Sequence, residues 1–209
     1  MKQLIEIQLF GPIVSFIGLD KLTHIEIEQF ENYQKMGYRN RFQVLSAKGV
    51  LNLTVPIVGG RDQKSKTSDV EVDYSGRWLQ EHWRTLESNY NRSPFFEHYA
   101  PSLKQLWDSR PQMLSEFCEH SLRWVVKQLK WTGTISHSNN YAIQVEEGVL
   151  DLRNKYLPKN RLMHSLPSYQ QQFGNQFEPN LSILDLLFNN GPLSSRYLQG
   201  IQKPSENNL

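Results

Sequence analysis

The residues best suited to bind a charged ligand lie in one short stretch of the chain, residues 33–41. Arginine presents a planar fork of N–H donors that matches a carboxylate or a phosphate, and tyrosine can stack on or hydrogen-bond a flat or sugar-like ligand. The polar members of this 33–41 segment are Tyr33, Lys35, Tyr38, Arg39, Asn40 and Arg41. Asn40 can donate and accept at once, so it would orient a ligand without adding charge. The segment therefore predicts a site for an anionic small molecule.

A protective strand edge would explain the same residues without a ligand, because charges on an edge strand keep it from pairing with other chains. In an extended segment Tyr33, Lys35, Asn40 and Arg41 cannot all point to one side, so a ligand site here requires a bend. Thr54, on the polar side of the next predicted strand, is included among the substrate-binding residues. Both interpretations stay open from the sequence.

His82 is the candidate catalytic base. It lies on the apolar side of a predicted helix, beside Trp83 and Leu86. An imidazole with a near-neutral pKa could accept a proton from a substrate. A histidine among aromatic residues can equally be a core residue, so this alternative also stays open.

The start of a short C-terminal helix offers a second possible anion site. Asn180 and Ser182 precede the apolar run "ILDLLF", where they would cap the helix. The free N–H groups of a helix N-terminus can also bind an anionic group. The anion role requires that this helix end face the 33–41 segment.

The sequence gives no support for a metal site or a bound cofactor. It has no HExxH pattern and no clustered Cys/His spacing, and a single thiol cannot build a closed zinc site. It also lacks the GxGxxG, P-loop and GxSxG motifs of dinucleotide, nucleotide and hydrolase sites. The one cysteine, Cys118, falls in an apolar helical stripe and is expected to be an inert core thiol.

Charge and composition narrow the class of protein. The 209 residues carry 23 Lys+Arg against 21 Asp+Glu, and a net charge of +2 argues against strong nucleic-acid binding. One cysteine rules out an internal disulfide and favours a reducing, cytoplasmic setting. The apolar stretch at residues 9–19 is too short to span a bilayer and is followed by no cleavage site.

Six stretches show the patterns of strands. "KQLIEIQLF" is compatible with a first strand, a helix-like stretch follows near 13–22, and "THIEIEQF" alternates as a half-buried strand does. "RFQVL" and "VLNLTVPIV", joined by "SAKG", predict a β-hairpin in which Gly49 takes the left-handed turn position. "VEVDY" and "GTISHS" predict two further short strands.

Helical periodicity begins at Ser75 and dominates the second half. Helices are predicted from Ser75 to about 90, through "FFEHYAPSLKQLW", through "QMLSEFCEHSLRWVVKQLKW" and through "NLSILDLLFNN". The fold class is therefore α/β (or α+β). We expect a central mixed sheet with an N-terminal strand–helix–strand unit and a β-hairpin, covered by helices from the second half. Residues 1–198 are expected to form one domain and 199–209 a disordered tail.

The same residues give the chain a resemblance to the WbqC-like protein family. The shared features are Tyr33, Lys35, Tyr38, Asn40 and Arg41, "LTVP" (53–56), Trp78, His82-Trp83, Tyr90, "SPFFEHY" (93–99) and "NLSILDLLF" (180–188). Many relatives open with a His-Gln-Pro segment. Here Glu6 replaces that histidine and Gln8 the first proline, although Phe10 and Pro12 fit.

The resemblance implies a role in O-antigen or other surface-polysaccharide biosynthesis. It points to a cytoplasmic transferase that moves a small acyl or aminoacyl group, possibly glycyl, onto a nucleotide- or lipid-linked sugar. Arg41 and Lys35 would hold the anionic part of the substrate, and Asn40 would orient it. The alternative is a non-catalytic binding module for RNA or for a biosynthetic partner protein, in which tyrosines stack on bases and arginines bind phosphates.

Overall fold

The computed structural model describes residues 1–60, 62, 64–174 and 176–201. Within them six strands and five α-helices form a mixed α/β structure, which confirms the predicted class. The strands are β1 (Lys2–Glu6), β2 (His24–Glu28), β3 (Arg41–Ser46), β4 (Gly49–Thr54), β5 (Thr134–His137) and β6 (Val149–Asp151). The helices are α1 (Trp78–Tyr90), α2 (Phe96–Asp108), α3 (Leu114–Gln128), α4 (Ile183–Asn190) and α5 (Ser194–Gln199).

The central sheet is parallel and has the strand order β5-β2-β1-β6. β1 pairs with β2 from Lys2↔His24 to Glu6↔Glu28, so the predicted N-terminal unit is present. The connection between them is not one helix but two 3₁₀ turns, Ile13–Phe16 and Leu19–Lys21. Gly18 has a left-handed φ of 74° between the turns, and this conformation interrupts helical hydrogen bonding.

The antiparallel pairing lies in a separate two-stranded hairpin of β3 and β4, whose register closes at Ser46↔Gly49. Gly49 has a φ of 104°, as the turn prediction requires. The predicted "VEVDY" strand contributes only isolated bridges, Ile57↔Val72 and Glu71↔Met113.

The helices supply an aromatic core around Trp107 of α2. Its ring stacks on Phe10 at 5.8 Å between ring centroids and meets Phe42 and Phe117 edge-on at 6.0 and 5.6 Å. Such pairs add to the apolar area that each ring buries. The hairpin, the N-terminal segment and the helices therefore share one packing centre.

The start of α4 is joined to the N-terminal segment by backbone hydrogen bonds. The Ile13 N–H donates to the Leu181 carbonyl, and the Ile183 N–H donates to the Gly11 carbonyl, each at 2.9 Å. α4 ends at Gly191, which has a φ of 52° and lies directly against the ring of Phe95. In the described part of the chain no helix is long and apolar enough to cross a membrane. Most of the predicted tail, residues 202–209, falls outside the described residues.

Candidate anion-binding site

Arg39 is fixed inside the protein by an ion pair. Its side chain is 1% exposed, and both Nε and Nη2 donate to Glu31 Oε1, at 3.0 and 2.5 Å. Nη2 also donates to Asn154 Oδ1 at 2.7 Å. Burial of a charge is tolerated when it is paired in this way. A ligand would have to compete with Glu31 for this guanidinium.

Tyr38 and Asn40 make contacts that close the base of the hairpin. The Tyr38 hydroxyl donates to Gln43 Oε1 at 3.2 Å, and burial raises the pKa of this phenol well above its usual range. Asn40 Nδ2 donates to the Val55 carbonyl at 2.8 Å, and the Val55 N–H donates back to the Asn40 carbonyl at 2.7 Å. These bonds hold β3 to the residue that follows β4. Both side chains have structural partners before any ligand is considered.

Arg41 differs from its neighbours because its guanidinium has no acidic partner among the described residues. Its Nε–H is buried and has no hydrogen-bond acceptor among the described residues. Its Nη2 donates to Met36 Sδ at 3.8 Å, and a thioether sulfur is a weak acceptor. Met36 is 58% exposed and has a φ of 68°. Such a backbone conformation costs free energy in a non-glycine residue. Arg41 is therefore the member of the 33–41 segment that is free to bind an anion.

The bend that a ligand site requires is present, because residues 35–40 form turns and bends rather than a strand. Burial raises the pKa of the Tyr33 phenol, while the positive charges of Arg41 and Arg39 act in the opposite direction, which places both guanidinium groups near it. Thr54 is the partner of Arg41 in the hairpin register, so the two side chains share one face. Arg41 and Thr54 thus share one surface, and Tyr33 is buried near Arg41.

Lys35 lies at the exposed side of this surface and forms an ion pair with Asp62 at 2.5 Å. Both side chains are more than half exposed. An exposed pair of this kind contributes little to stability, so it can open when another anion competes for the lysine.

His82 is enclosed by aromatic rings on the other side of β3. Its ring lies 5.4 Å from Trp78, 6.1 Å from Trp107 and 6.5 Å from Phe42, measured between centroids. Burial lowers the pKa of His82 to about 4, and its Nδ1 has no partner among the described residues. Phe42 and Arg41 point to opposite sides of the strand because neighbouring residues alternate. The structure therefore does not bring His82 and Arg41 to the same face.

Ser182 is the N-cap of α4, whereas the Asn180 side chain bonds to the N-terminal segment and not to α4. Asn180 Oδ1 accepts the Val14 N–H at 3.0 Å. Ser182 Oγ accepts the Leu184 N–H at 3.3 Å and donates to the Phe10 carbonyl at 2.8 Å. Both side chains are buried and join α4 to the N-terminal segment. An anion role at this helix end stays a prediction.

Sequence reasoning missed the acidic residues at the carboxyl ends of the parallel strands. Glu6 ends β1, and its carboxylate accepts Gln8 Nε2 at 2.8 Å and the Asn154 N–H at 2.9 Å. Glu28 ends β2 and receives Arg153 Nη1 at 3.3 Å. Ligands of open parallel sheets commonly bind outside this end of the strands. The predicted first strand ran on to Phe10, so the sequence placed Glu6 inside a strand and gave no signal that it lies at a strand end.

A narrow pocket opens beside Glu6, between β1, β2 and α3. Its walls include Ile5, Ile27 and Val125, with Gln8 and Ser121 as polar members. The space open to the centre of a water-sized sphere is only about 20 Å³, which is room for about one water molecule. As it stands, this pocket does not accommodate a sugar. Among the described residues no group of three or more His, Cys, Asp or Glu side chains could hold a metal ion.

Comparisons with known proteins agree with the sequence resemblance. The family model described as "WbqC-like protein family" matches residues 19–157 and 159–197, a range that contains every candidate residue of the 33–41 segment. The chain is similar to the uncharacterised protein Rv1507c of Mycobacterium tuberculosis (strain ATCC 25618 / H37Rv). They are 26% identical over 196 residues, which cover 80% of this chain and 84% of that protein. No solved structure matches the chain. The family match begins after the segment in which Glu6 and Gln8 depart from the relatives' pattern.

Proposed function

The chain belongs to the WbqC-like protein family, and on that premise we propose that it transfers a small acyl or aminoacyl group, such as glycyl, onto a nucleotide- or lipid-linked sugar. The reaction would serve surface-polysaccharide biosynthesis in the cytoplasm. The family resemblance supports the reaction class, and the single buried cysteine fits a reducing compartment. The observation that carries the binding part of the proposal is the guanidinium of Arg41, which lacks an acidic partner among the described residues.

An anionic group would complete the hydrogen bonding of Arg41. A buried N–H without an acceptor costs free energy, and a carboxylate or phosphate can receive two parallel N–H bonds from one guanidinium. The acceptor of the proposed reaction carries such a group, since a nucleotide-linked sugar has a diphosphate. The glycyl donor does not offer a free carboxylate, because its carboxyl carbon is the one transferred from the activating group, which leaves. Thr54 lies beside Arg41 and Tyr33 lies nearby, and their hydroxyls would bind the neutral part of the ligand.

In this proposal one further member of the segment would contact the ligand, and the others would hold the site in shape. Lys35 is exposed and would exchange Asp62 for the ligand. Asn40 and Tyr38 would hold the hairpin base in shape, and Arg39 would support the bend through Glu31. The substrate would therefore be bound directly by side chains on the outside of the hairpin and positioned by side chains within it.

His82 stays the predicted general base. Burial lowers its pKa to about 4, so its imidazole is neutral at pH 7 but is a weaker base than a histidine with the usual pKa. It lies across β3 from Arg41, so this role requires a substrate that reaches both faces of the strand. His82→Gln should then lower turnover and leave anion affinity unchanged.

Calorimetry tests the proposed anion site directly. The probes are a uridine diphosphate sugar, glycine and inorganic phosphate, each titrated into the wild type, Arg41→Lys and Arg41→Ala. Arg41→Lys keeps the charge but loses the fork, so binding should weaken by about 1–3 kcal/mol. Arg84→Lys is the matched control, because Arg84 is an exposed arginine on α1.

Equal affinities in all variants would remove the proposed site. Nanomolar binding of a single-stranded RNA with a steep salt dependence would instead support the binding-module alternative, since a transferase of this charge should bind RNA weakly at physiological salt. Ligand binding that depends on Arg41 without any transfer from activated glycine would retain the site and reject the reaction.

A further inference from the structure

The edge of the parallel sheet at β5 is open. β5 is the first strand in the order β5-β2-β1-β6, and no described residue pairs with its outer side. Lysine or proline on an edge strand commonly prevents pairing with another chain. The short length of β5 limits pairing with other chains, but its four residues, "TISH", include neither of these blocking side chains.

The direction of the backbone groups along β5 follows from its pairing with β2. The N–H groups of Thr134 and Ser138 donate to the carbonyls of Thr23 and Ile27. In a parallel ladder, alternate residues of a strand bond to the same neighbour. The N–H and C=O groups of the intervening residues 135 and 137 therefore point outward, and no described residue binds them.

A basic groove of about 620 Å³ runs beside this edge, between β5 and the last turns of α3. Arg123, Lys127 and Lys130 line it, and all three are exposed. Arg123 is paired with Glu119, whereas the two lysines form no ion pair with a described residue. Trp131 forms an apolar part of the wall, and no acidic residue is among the described side chains that line the groove. The groove is complementary to an acidic ligand.

The spacing of the cations fits an added strand. Side chains on one face of a strand repeat every two residues, or about 6.6 Å. Arg123 and Lys127 are separated by four helical residues, about 6 Å along the axis. Acidic residues at alternate positions of an extended peptide could therefore meet successive cations of α3.

A second copy of this chain fits the same edge poorly. Antiparallel pairing of two β5 strands about a two-fold axis would place both α3 helices on the same face of the joined sheet. Lys127 and Lys130 of one copy would then approach those of the other, and like charges in contact oppose association.

We propose that the open edge of β5, together with the basic groove of α3, binds an extended acidic segment of a partner protein as an additional strand. The main chain of that segment would bond to the outward groups of residues 135 and 137. Its acidic side chains would contact Arg123 and Lys127, and Lys130, beyond the end of α3, would add to the positive charge of the groove. Main-chain bonds give such strand addition its affinity, and alternate side chains give its specificity. A nucleic acid satisfies the charge but cannot pair with the strand edge.

Fluorescence anisotropy with three labelled octapeptides tests this inference. The first alternates valine and glutamate, the second is the same peptide with alternate N-methylated residues, and the third alternates valine and lysine. The first should bind. The second keeps every charge but cannot form the strand bonds, so it should bind about tenfold more weakly or not at all. The lysine peptide should not bind.

Charge-reversal variants locate the binding site. The double variant Lys127→Glu, Lys130→Glu should lower the affinity for the glutamate peptide by about tenfold or more. Lys48→Glu, at the exposed hairpin turn, should leave this affinity unchanged. Thermal melting checks that each variant is folded. Equal binding of the N-methylated peptide, or equal binding of an eight-nucleotide uridine RNA, would show a general polyanion surface and overturn the proposal. Self-association that the double variant changes would assign the edge to a second copy and overturn it as well.

Discussion

Substituting the two arginines on either side of Asn40 separates a structural role from a binding role. Arg39→Met and Arg41→Met remove the same charge, two residues apart, and replace it with a side chain of similar length. In the structure Arg39 is buried against Glu31, whereas Arg41 has no acidic partner among the described residues. We expect Arg39→Met to destabilise the fold and Arg41→Met to leave it nearly unchanged.

The magnitude follows from the burial of the pair. Removing one partner of a buried ion pair leaves the other charge uncompensated and costs about 3–5 kcal/mol. For a domain of this size, 1 kcal/mol shifts the melting temperature by about 2–4 °C. Arg39→Met should therefore lower Tm by roughly 6–20 °C, and Arg41→Met should change the free energy of unfolding by about 0.5 kcal/mol or less.

Urea unfolding followed by circular dichroism measures both effects. Equal m-values in the two variants and the wild type show that a difference in midpoint is a difference in stability. The double variant Arg39→Met, Glu31→Leu removes both charges, so it should recover most of the loss. The assignment of roles would be refuted if Arg39→Met lost less than about 1 kcal/mol, or if Arg41→Met lost as much as Arg39→Met.

Four further predictions follow from buried groups. Burial raises the pKa of Asp185 from 3.8 to about 6. The free energy of unfolding should therefore fall as the pH rises from about 4 to 6, by at most about 3 kcal/mol. Asp185→Asn should remove this pH dependence, as measured by urea unfolding at pH 4 to 7. Burial lowers the pKa of His82 from 6.5 to about 4, so its contribution to the free energy of unfolding is lost as the pH falls from 6.5 to 4. His82→Gln should make the stability of the protein less sensitive to acid. An unchanged dependence of stability on pH would contradict this. Cys118 is buried and bonded to a carbonyl at 3.0 Å, so Cys118→Ala should cost about 1 kcal/mol and spare ligand binding, while rapid maleimide labelling of the native thiol would argue against it. Gly191 has a φ of 52°, and a Cβ added to it would lie 2.4 Å from a ring carbon of a phenylalanine. Gly191→Ala should therefore lower the free energy of unfolding by roughly 2–4 kcal/mol. Gly76→Ala is the control and should be nearly neutral, because Gly76 has open space around it.

Elements with a strong local pattern could be predicted from the sequence. The alternation in "THIEIEQF" became β2, and the glycine after "SAK" took the positive φ of the hairpin turn. The apolar stripe of α3 is buried as its period indicates. β6 and α5 lacked such patterns. β6 has three residues within a polar stretch and is a strand because β1 offers it a parallel edge.

The division of labour within the 33–41 segment could not be predicted. Arg39 and Arg41 have the same side chain and lie on either side of Asn40. A bend in the backbone turns Arg39 inward and leaves Arg41 at the surface. The inward choice depends on Glu31 and Asn154, and Asn154 is more than a hundred residues away in sequence. Periodicity contains no information on such distant partners. The sequence therefore indicated a candidate site, but it could not tell the buried, paired Arg39 from Arg41, which has no acidic partner among the described residues.

The position of β1 in the sheet affects how the chain can fold during synthesis. β1 lies between β2 and β6, and Lys2 pairs with Val149. At a translation rate of about 5–20 residues per second, roughly 7–30 s pass between the synthesis of β1 and that of β6. Until then one side of a central strand is an unpaired edge, which is the kind of surface on which nascent chains aggregate or recruit chaperones. The sheet is complete only when β6, a strand of three residues that is synthesised more than a hundred residues later, pairs with β1.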